Sequence, residues 1–350
     1  MTLPDDMQAL VVTQDGQTST QGGLAVDDLA QLLALRRIPV PSPGPGQVLV
    51  KVAMSPVNPS DLLFVQGRYG LPRVPGAVAG FEGTGIVVAG GDAATSALVG
   101  QRVSFLAGAS GAWAEYALTD AASCAASADE LRDEDGAALL VNPLTAIAMI
   151  ELTAAAGARA LVLTAAASEL GRMLIGLARE RGMAAIAVLR RPAEAGALRA
   201  LGAAEVLVSG APEFRERLES ALRAHKPRML LDAVGDQVSA DIFLAMPAHS
   251  TWISYGVLAE RGPCLADMRQ FVFANKRIEG FWLSRWLRAV GPETRAHAVA
   301  QVQQRFLSGT WRTRIAARIA LEDALASLPA ALGLRGKVLL APGQQPRPAP

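Results

Sequence analysis

The stretch ARALVLTAAASELGRMLIGLARERG, residues 158–182, decides the fold. Its first part is an apolar run of strand length, and from Glu169 to Gly182 it has the apolar spacing of an amphipathic helix that a glycine ends. The turn AAASELG (165–171) joins the two. A buried strand that leads directly into a helix predicts a parallel α/β sheet, and the helix N-terminus after such a turn favours an anion.

The same alternation continues along the chain. Strand-like runs follow at MAAIAVL (183–189), EVLVS (205–209), RMLLDAVG (228–235) and STWISYGVL (250–258), with helical segments between them. This order predicts an α/β fold with a doubly wound parallel sheet of Rossmann type over residues 141–285.

The segments on either side have a different character. Residues 1–140 are rich in Gly, Pro and short β-like runs, QVLVKVAM (47–54), GTGIVVAG (83–90) and GQRVSFLAG (100–108), which predict a β-rich domain. Residues 286–350 contain helical segments and one more strand, RGKVLLAP (335–342), and we expect them to complete that domain. The tail GQQPRPAP is expected to be disordered.

Composition excludes several classes of protein. The 350 residues carry 33 basic and 32 acidic side chains, and this balance gives no electrostatic case for binding nucleic acid or an anionic membrane. Two cysteines, Cys124 and Cys264, exclude a disulfide framework and a cysteine-rich zinc site. The acidic start lacks an apolar signal region, and charged residues interrupt the apolar stretch 137–167, so a soluble cytoplasmic protein is expected.

The turn itself leaves nucleotide binding open. Dinucleotide-binding turns are glycine-rich because the backbone must approach a pyrophosphate, yet only Gly171 is a glycine here and Glu169 occupies an expected glycine position. An ordinary βα turn would also fit. After the second strand come Arg190 and Arg191 with no carboxylate, and a guanidinium fork suits a 2′-phosphate. NADPH is therefore favoured over NADH, unless the two arginines are merely solvated.

Several stretches in order resemble the zinc-independent medium-chain dehydrogenase/reductase superfamily, in its 2-enoyl thioester reductase and quinone oxidoreductase branch. They are the turn at 165–173, SPVNPSDLLFVQGRYG (55–70), PGAVAGFEGTGIVVAGG (75–91), LLVNPLTAIAMI (139–150), LDAVGD (231–236) and RIEGFWLSRW (277–286). The resemblance implies a GroES-like catalytic domain, a Rossmann domain, an active site in the cleft between them, and a homodimer formed through the nucleotide domains.

The same resemblance argues against a metal. Zinc members of the superfamily carry a cysteine after the first β-segment and a Gly-His-Glu motif, whereas this chain has Asn58 and Gly80-Phe81-Glu82 there. Its three histidines lie elsewhere, so no metal site is expected.

Residue roles also follow from the resemblance. Tyr69 in QGRYG occupies the position of the proposed proton donor of this branch. The residue type suits the role, because a phenol with an ordinary pKa near 10 is protonated at neutral pH. Asn58 would orient the acceptor or Tyr69. Contacts to the cofactor are expected from Asn142, Thr145, Ser168, Glu169, Leu170, Gly171, Ala233, Val234, Gly235, Tyr255, Gly256 and Lys337. Phe281, Trp282 and Leu283 would form the wall of an acyl pocket or, equally, a buried interdomain strand. Arg285 would meet a substrate phosphate or form a surface salt bridge.

The leading functional hypothesis is an NADPH-dependent reductase of 2-enoyl thioesters, with hydride transfer to the β-carbon. One alternative is a quinone or enone reductase, and another is a nucleotide-binding protein without efficient catalysis. Because a carboxylate facing the pyrophosphate would repel it, we expect Glu169 to point to solvent or to pair with an arginine such as Arg172. Backbone amides and Ser168 would then hold the phosphates.

Overall fold

The computed structural model describes residues 3–18, 29–108 and 110–343, so the expected disorder of the tail lies outside the described residues. These residues divide into two compact units. The first comprises residues up to 141 together with those from 299 onward, and the second comprises residues 142–298. The second unit thus extends beyond residue 285, because the chain that follows keeps most of its contacts within that unit.

The N-terminal part of the first unit is mostly β-structure. Its strands are β1 (Asp6–Val12), β2 (Leu33–Pro39), β3 (Gln47–Pro56), β4 (Glu82–Gly90), β5 (Arg102–Leu106), β6 (Tyr116–Asp120) and β7 (Cys124–Ala126). Its helices are α1 (Pro59–Val65), α2 (Ala93–Ser96) and α3 (Asp133–Ala137), with 3₁₀ turns at Leu29–Gln31 and Ala121–Ser123. A strand lies within or overlaps each of the three runs predicted from the sequence.

The second unit alternates helices and parallel strands. Its elements are α4 (Val141–Ala155), β8 (Ala160–Leu163), α5 (Glu169–Glu180), β9 (Ala184–Leu189), α6 (Ala195–Leu201), β10 (Glu205–Val208), α7 (Phe214–His225), β11 (Met229–Asp232), α8 (Gln237–Ala245), β12 (Thr251–Ser254), α9 (Arg269–Val272), β13 (Arg277–Gly280) and α10 (Leu283–Ala289), with a 3₁₀ turn at Pro192–Glu194. The next helix, α11 (Pro292–Leu307), begins in this unit, and its residues from 299 onward belong to the first unit. The strand order is β10-β9-β8-β11-β12-β13. Chain order reverses between β8 and β11, which is the doubly wound Rossmann arrangement, and the predicted fold class is confirmed.

The C-terminal segment returns to the first unit. It contributes β14 (Ile315–Ala320), α12 (Ala324–Ala331) and β15 (Lys337–Ala341), with a 3₁₀ turn at Leu321–Asp323. β15 pairs with the end of β3 in an antiparallel register, and the sheet order is β14-β15-β3-β4-β5-β7 with β6 also on β3. This pairing brings the start of β15 to the end of β3, where the candidate site lies.

Each unit has its own apolar core. In the first, Trp113 is fully buried and packs with Leu10, Phe64 and neighbouring aliphatic side chains. In the second, Phe243 and Trp252 lie in the core between sheet and helices, with ring centroids 5.6 Å apart. Within the described part of the chain, no helix is both long and apolar enough to cross a membrane.

Candidate active site

A buried polar cluster lies in the first unit where α1, β4 and β15 begin. Its members are Asn58, Asp61, Glu82 and Lys337, which are between 0% and 6% exposed. Asn58 and Asp61 come together because Asn58 directly precedes α1 and Asp61 lies in the first turn of that helix. Lys337 joins them from the far end of the sequence, since the backbone N–H of Val57 donates to the carbonyl of Val338 at 2.9 Å.

The Asn58 amide is held from both ends. Its Nδ2 donates to Glu82 Oε1 at 2.9 Å, and its Oδ1 accepts a hydrogen bond from the Lys337 ammonium. These two partners fix which end of the amide is oxygen. Glu82 Oε2 also accepts from the backbone N–H groups of Leu140 and Val141 at 3.0 and 2.9 Å. The cofactor contact of Lys337 stays a prediction, and in the structure its ammonium donates to Asn58.

Asp61 ties α1 to the segment before β4. Its Oδ2 accepts from the backbone N–H of Asn58 at 2.7 Å, and its Oδ1 accepts from that of Phe81 at 2.8 Å. Burial raises the pKa of Asp61 to about 7, an effect that these hydrogen bonds oppose and the nearby charge of Glu82 adds to. Burial also raises the pKa of Glu82, while Lys337 lowers it. Two carboxylates and one ammonium therefore share a space that disfavours charge.

Tyr69 packs beside this cluster through Phe81. The two rings are 4.9 Å apart between centroids, and Phe81 also contacts Phe64 at 5.5 Å. Tyr69 is half-buried, and its backbone carbonyl accepts a hydrogen bond from Gln17 Nε2 at 3.0 Å. The same residue, Phe81, therefore contacts the proposed proton donor with its ring and the Asp61 carboxylate with its backbone.

The buried side chain of Arg73 supports the loop that carries Tyr69. Its Nη1 donates to the carbonyl of Val65 at 3.0 Å, and its Nε donates to that of Gly16 at 3.2 Å. Gly67 has φ +72°, and a Cβ there would lie 2.5 Å from the guanidinium. Arg73 thus fixes the chain between α1 and Tyr69. Sequence reasoning missed it, because an arginine between prolines in a loop usually faces solvent.

In the second unit, the turn between β8 and α5 is built for close packing. Ser168 caps α5, its hydroxyl accepting from the backbone N–H of Gly171 at 3.0 Å. A Cβ on Gly171 would lie 2.6 Å from the carbonyl oxygen of Ala166, so only glycine fits without a shift. Ala165 has φ +46°, a left-handed conformation that a side chain rarely adopts. The helix N-terminus here can hold an anion.

Glu169 is the first residue of α5 and is half-buried. Arg172, the arginine expected to pair with it, forms an ion pair with Glu194 at 3.5 Å.

The arginine pair lies beside this turn. The backbone N–H of Ala166 donates to the carbonyl of Val188 in β9 at 3.3 Å, which joins the turn to the end of that strand. Arg190 and Arg191 follow directly and are both exposed. Two guanidinium groups beside a helix N-terminus suit a phosphate on the ribose next to a pyrophosphate.

The ends of β11 and β12 form the rest of this sheet edge. Gly235 has φ +71°, and Ala233 and Val234 accept backbone hydrogen bonds from Leu258 and Ala259 at 3.1 and 2.9 Å. A Cβ on Gly256 would lie 2.6 Å from the Ala233 carbonyl oxygen. Ligands of open α/β sheets bind at such carboxyl ends, so these residues fit a dinucleotide.

Comparison with known proteins identifies the family. Residues 44–129 match the alcohol dehydrogenase GroES-like domain. A putative NADPH:quinone reductase from Mesorhizobium loti is 45% identical, with 98% of this chain and 100% of that chain covered and a TM-score of 0.93. The chain belongs to the medium-chain dehydrogenase/reductase superfamily, in its enoyl thioester and quinone reductase branch. The resemblance predicted from the sequence is confirmed.

Two further relatives support this placement. The mitochondrial enoyl-[acyl-carrier-protein] reductase of Bos taurus is 28% identical over 309 residues, which are 87% of this chain and 82% of the relative. A mycobacterial protein solved in complex with NADPH is 26% identical, with coverage of 96% of this chain and 100% of that one and a TM-score of 0.76.

The remaining predicted site residues of this medium-chain reductase lie as follows. Asn142 and Thr145 are on the first turns of α4, half-buried and buried respectively. Phe281 and Trp282 lie between β13 and α10, Leu283 is the first residue of α10, and all three are half-buried. The alternative of a buried strand for them is wrong, because no strand of the described chain includes any of the three. Arg285 is exposed on α10.

The described residues hold no cluster of three or more histidine, cysteine, aspartate or glutamate side chains that could bind a metal. In this medium-chain reductase the segment Gly80-Phe81-Glu82 contributes to the buried cluster, through the Glu82 carboxylate and the backbone N–H of Phe81. Gly80 packs against the Trp113 ring, and a Cβ on it would lie 2.4 Å from that ring.

Proposed function

We propose that this protein is a zinc-independent, NADPH-dependent reductase of 2-enoyl thioesters of CoA or acyl-carrier protein. The observation that carries the proposal is Tyr69, a half-buried phenol on a loop fixed by Arg73 and packed through Phe81 beside the Asn58 cluster. Relatives named enoyl-[acyl-carrier-protein] reductases, at 25–29% identity over most of the chain, support the substrate class.

The residues of the second unit fit NADPH. The α5 N-terminus and Ser168 would hold the pyrophosphate, and Arg190 and Arg191 would hold the 2′-phosphate. The absence of a Cβ at Gly171 lets helix and strand pack closely there. When bound, NADPH supplies the hydride that the β-carbon of the enoyl group accepts.

Tyr69 supplies the proton that the α-carbon needs once the β-carbon has been reduced. The products are then a saturated acyl thioester and NADP⁺, with one proton consumed. A neutral phenol can also donate a hydrogen bond to the thioester oxygen as charge develops there. Glu82 and Lys337 hold the Asn58 amide in one orientation, so it keeps a fixed shape beside the reacting groups.

A second candidate is reduction of a quinone or an enone with the same cofactor. The 45% identical protein from Mesorhizobium loti favours it, since that protein is described as a putative NADPH:quinone reductase. Quinone oxygens take protons readily from water, so this reaction would depend little on Tyr69.

Turnover of NADPH with crotonyl-CoA and with a benzoquinone, by wild type and Tyr69→Phe, tests the proposal. We expect crotonyl-CoA reduction, and a loss of about 10²- to 10⁴-fold in kcat for the variant, the range typical of general acid catalysis. Phenylalanine keeps the ring packing against Phe81, so NADPH affinity and Tm should not change. Rapid quinone turnover without crotonyl-CoA turnover would favour the second candidate. Binding of NADPH with no reduction of either would favour a protein without efficient catalysis.

We also propose a homodimer in which β13 pairs with its counterpart in an antiparallel fashion. β13 is the outermost strand of its sheet, and its residue Ile278 is 44% exposed between Arg277 and Glu279. A two-fold axis at Ile278 would set Arg277 of one copy opposite Glu279 of the other. Glu279→Arg should weaken the dimer in sedimentation, and adding Arg277→Glu should restore it. Unchanged mass for every variant would contradict this pairing.

A further inference from the structure

Tyr255 follows β12 directly and carries a buried hydroxyl that has no hydrogen-bond partner among the described residues. Burial, reinforced by the charge of Asp232, raises the pKa of this phenol, so the hydroxyl stays protonated and can donate. A buried hydroxyl without a partner is unfavourable for folding, so such a group in a native protein calls for an explanation, and a bound ligand that accepts the hydrogen bond is one.

Asp232 cannot be that partner, because its carboxylate is already saturated. Both oxygens accept hydrogen bonds, and the donors are the side chains of Thr164, Ser239 and Trp252 and the backbone N–H groups of Val234 and Gly235. The backbone N–H of Tyr255 is also occupied, because it donates to the Asp232 carbonyl at 2.9 Å. Among the groups around Asp232 named above, the Tyr255 hydroxyl is therefore the one donor without an acceptor.

The strand order indicates which part of a bound dinucleotide would lie near the Tyr255 hydroxyl. Arg190 and Arg191 follow β9, the α5 N-terminus follows β8, and Tyr255 follows β12, with β9, β8, β11 and β12 adjacent in that order. Neighbouring strands lie about 4.8 Å apart, so three spacings place Tyr255 about 14 Å along the edge from the arginines. A dinucleotide with its 2′-phosphate on the arginines and its pyrophosphate at α5 extends its nicotinamide half toward β11 and β12.

We propose that the Tyr255 hydroxyl donates a hydrogen bond to an oxygen of the nicotinamide half of the bound cofactor. The inference rests on the proposed NADPH dependence and assigns the hydroxyl, rather than the backbone of this residue, as the group that recognises that half. Tyr255 is thereby a specificity residue for the intact dinucleotide, while the arginines recognise the adenosine half.

Equilibrium binding of two ligands to the full-length chain tests this. The ligands are NADPH and 2′-phospho-ADP-ribose, which lacks the nicotinamide ring. Tyr255→Phe should weaken NADPH about five- to tenfold, the fold change that loss of one hydrogen bond gives, and leave the second ligand unchanged. Arg190→Ser with Arg191→Ser should weaken both. The control Tyr116→Phe, in a buried strand of the other unit, should weaken neither.

Thermal unfolding without ligand supplies an independent readout. Since no described residue accepts a hydrogen bond from this hydroxyl, Tyr255→Phe should unfold at the wild-type temperature or above it, and the NADPH-induced rise in Tm should shrink. Equal weakening of both ligands, no weakening of NADPH, or a clear fall in ligand-free Tm would each overturn the inference. Binding of both ligands by the wild type upholds NADPH dependence whatever Tyr255→Phe does. Binding of neither by the wild type refutes that dependence, and the inference with it.

Discussion

Replacing Lys337 by methionine tests whether the buried cluster behaves as one electrostatic unit. Lys337 is 6% exposed and donates to Asn58 Oδ1, with Glu82 and Asp61 buried close by. Methionine has a similar length but no charge and no donor. The variant leaves two buried carboxyl groups without the ammonium whose field lowers the pKa of each.

The expected cost follows from what remains buried. Removing one partner of a buried ion pair typically destabilises a protein by about 3–5 kcal/mol, because an uncompensated charge stays inside. That value applies where the carboxyl groups are ionised. If they are protonated, the loss falls to that of a hydrogen bond to a charged donor, about 1.5–3 kcal/mol.

The raised pKa values decide how the destabilisation of Lys337→Met changes with pH. Asp61 has its folded-state pKa raised from 3.8 to about 7, and the pKa of Glu82 is also raised. The folded protein holds more protons than the unfolded chain in this window, so each group lowers stability as pH rises from about 4 toward the folded pKa. Lys337→Met raises both pKa values further. Its deficit relative to wild type should therefore grow from pH 5 to pH 7.

Urea unfolding of both proteins at pH 5, 6 and 7 measures this deficit. Lys276→Met is the matched control. Lys276 is 4% exposed and donates to the carbonyls of Phe243 and Leu244, both at 2.9 Å, and burial lowers its pKa to about 8. The loss of unfolding free energy in Lys276→Met should stay level from pH 5 to pH 7, because Lys276 loses its proton only at higher pH. A Lys337→Met deficit that is level or shrinks as pH rises would refute the reasoning.

Three further changes probe the nucleotide-binding unit. Gly171→Ala should destabilise by about 1–3 kcal/mol and weaken NADPH, because its Cβ meets Ala166, whereas Gly176→Ala on the same helix has open space and should be neutral or stabilising in urea unfolding. Glu169→Gly should tighten NADPH only a few-fold by fluorescence titration; a gain of 100-fold would mean that the carboxylate opposes the cofactor. Arg190→Ser with Arg191→Ser should lower the ratio of NADPH to NADH turnover by tenfold or more, and an unchanged ratio would leave these arginines merely solvated.

The fold could be predicted because its signals are local. Apolar runs and helical spacing within a window of about 18 residues located the strands and helices from β8 to β12. β13 was the exception: RIEG lies at the exposed edge of the sheet, so its sequence lacks the apolar run that marks a buried strand. The resemblance of residues 277–286 to a family motif drew attention to a pocket, and no strand was predicted at residues 277–280.

The site could be predicted only in part, because its members meet through pairings between distant segments. Asn58 and Tyr69 were found from motifs near each other in the chain. Lys337 was predicted as a cofactor contact, and no local signal could show that its ammonium contacts an amide 279 positions away. No sequence pattern indicated the structural role of Arg73. That role depends on hydrogen bonds to three backbone carbonyls, two of which lie at or next to Gly16, far from Arg73 in the sequence.

The segment Gly80-Phe81-Glu82, which contains no histidine, is under tight physical constraint. Gly80 has φ +94° and lies against the Trp113 ring, where a Cβ has no room. Phe81 contacts Tyr69 with its ring and Asp61 with its backbone N–H, and Glu82 holds the Asn58 amide. Each of the three residues thus has a separate packing or bonding task. Together they connect the proposed proton donor to the buried cluster, so a change at any one of them should disturb both.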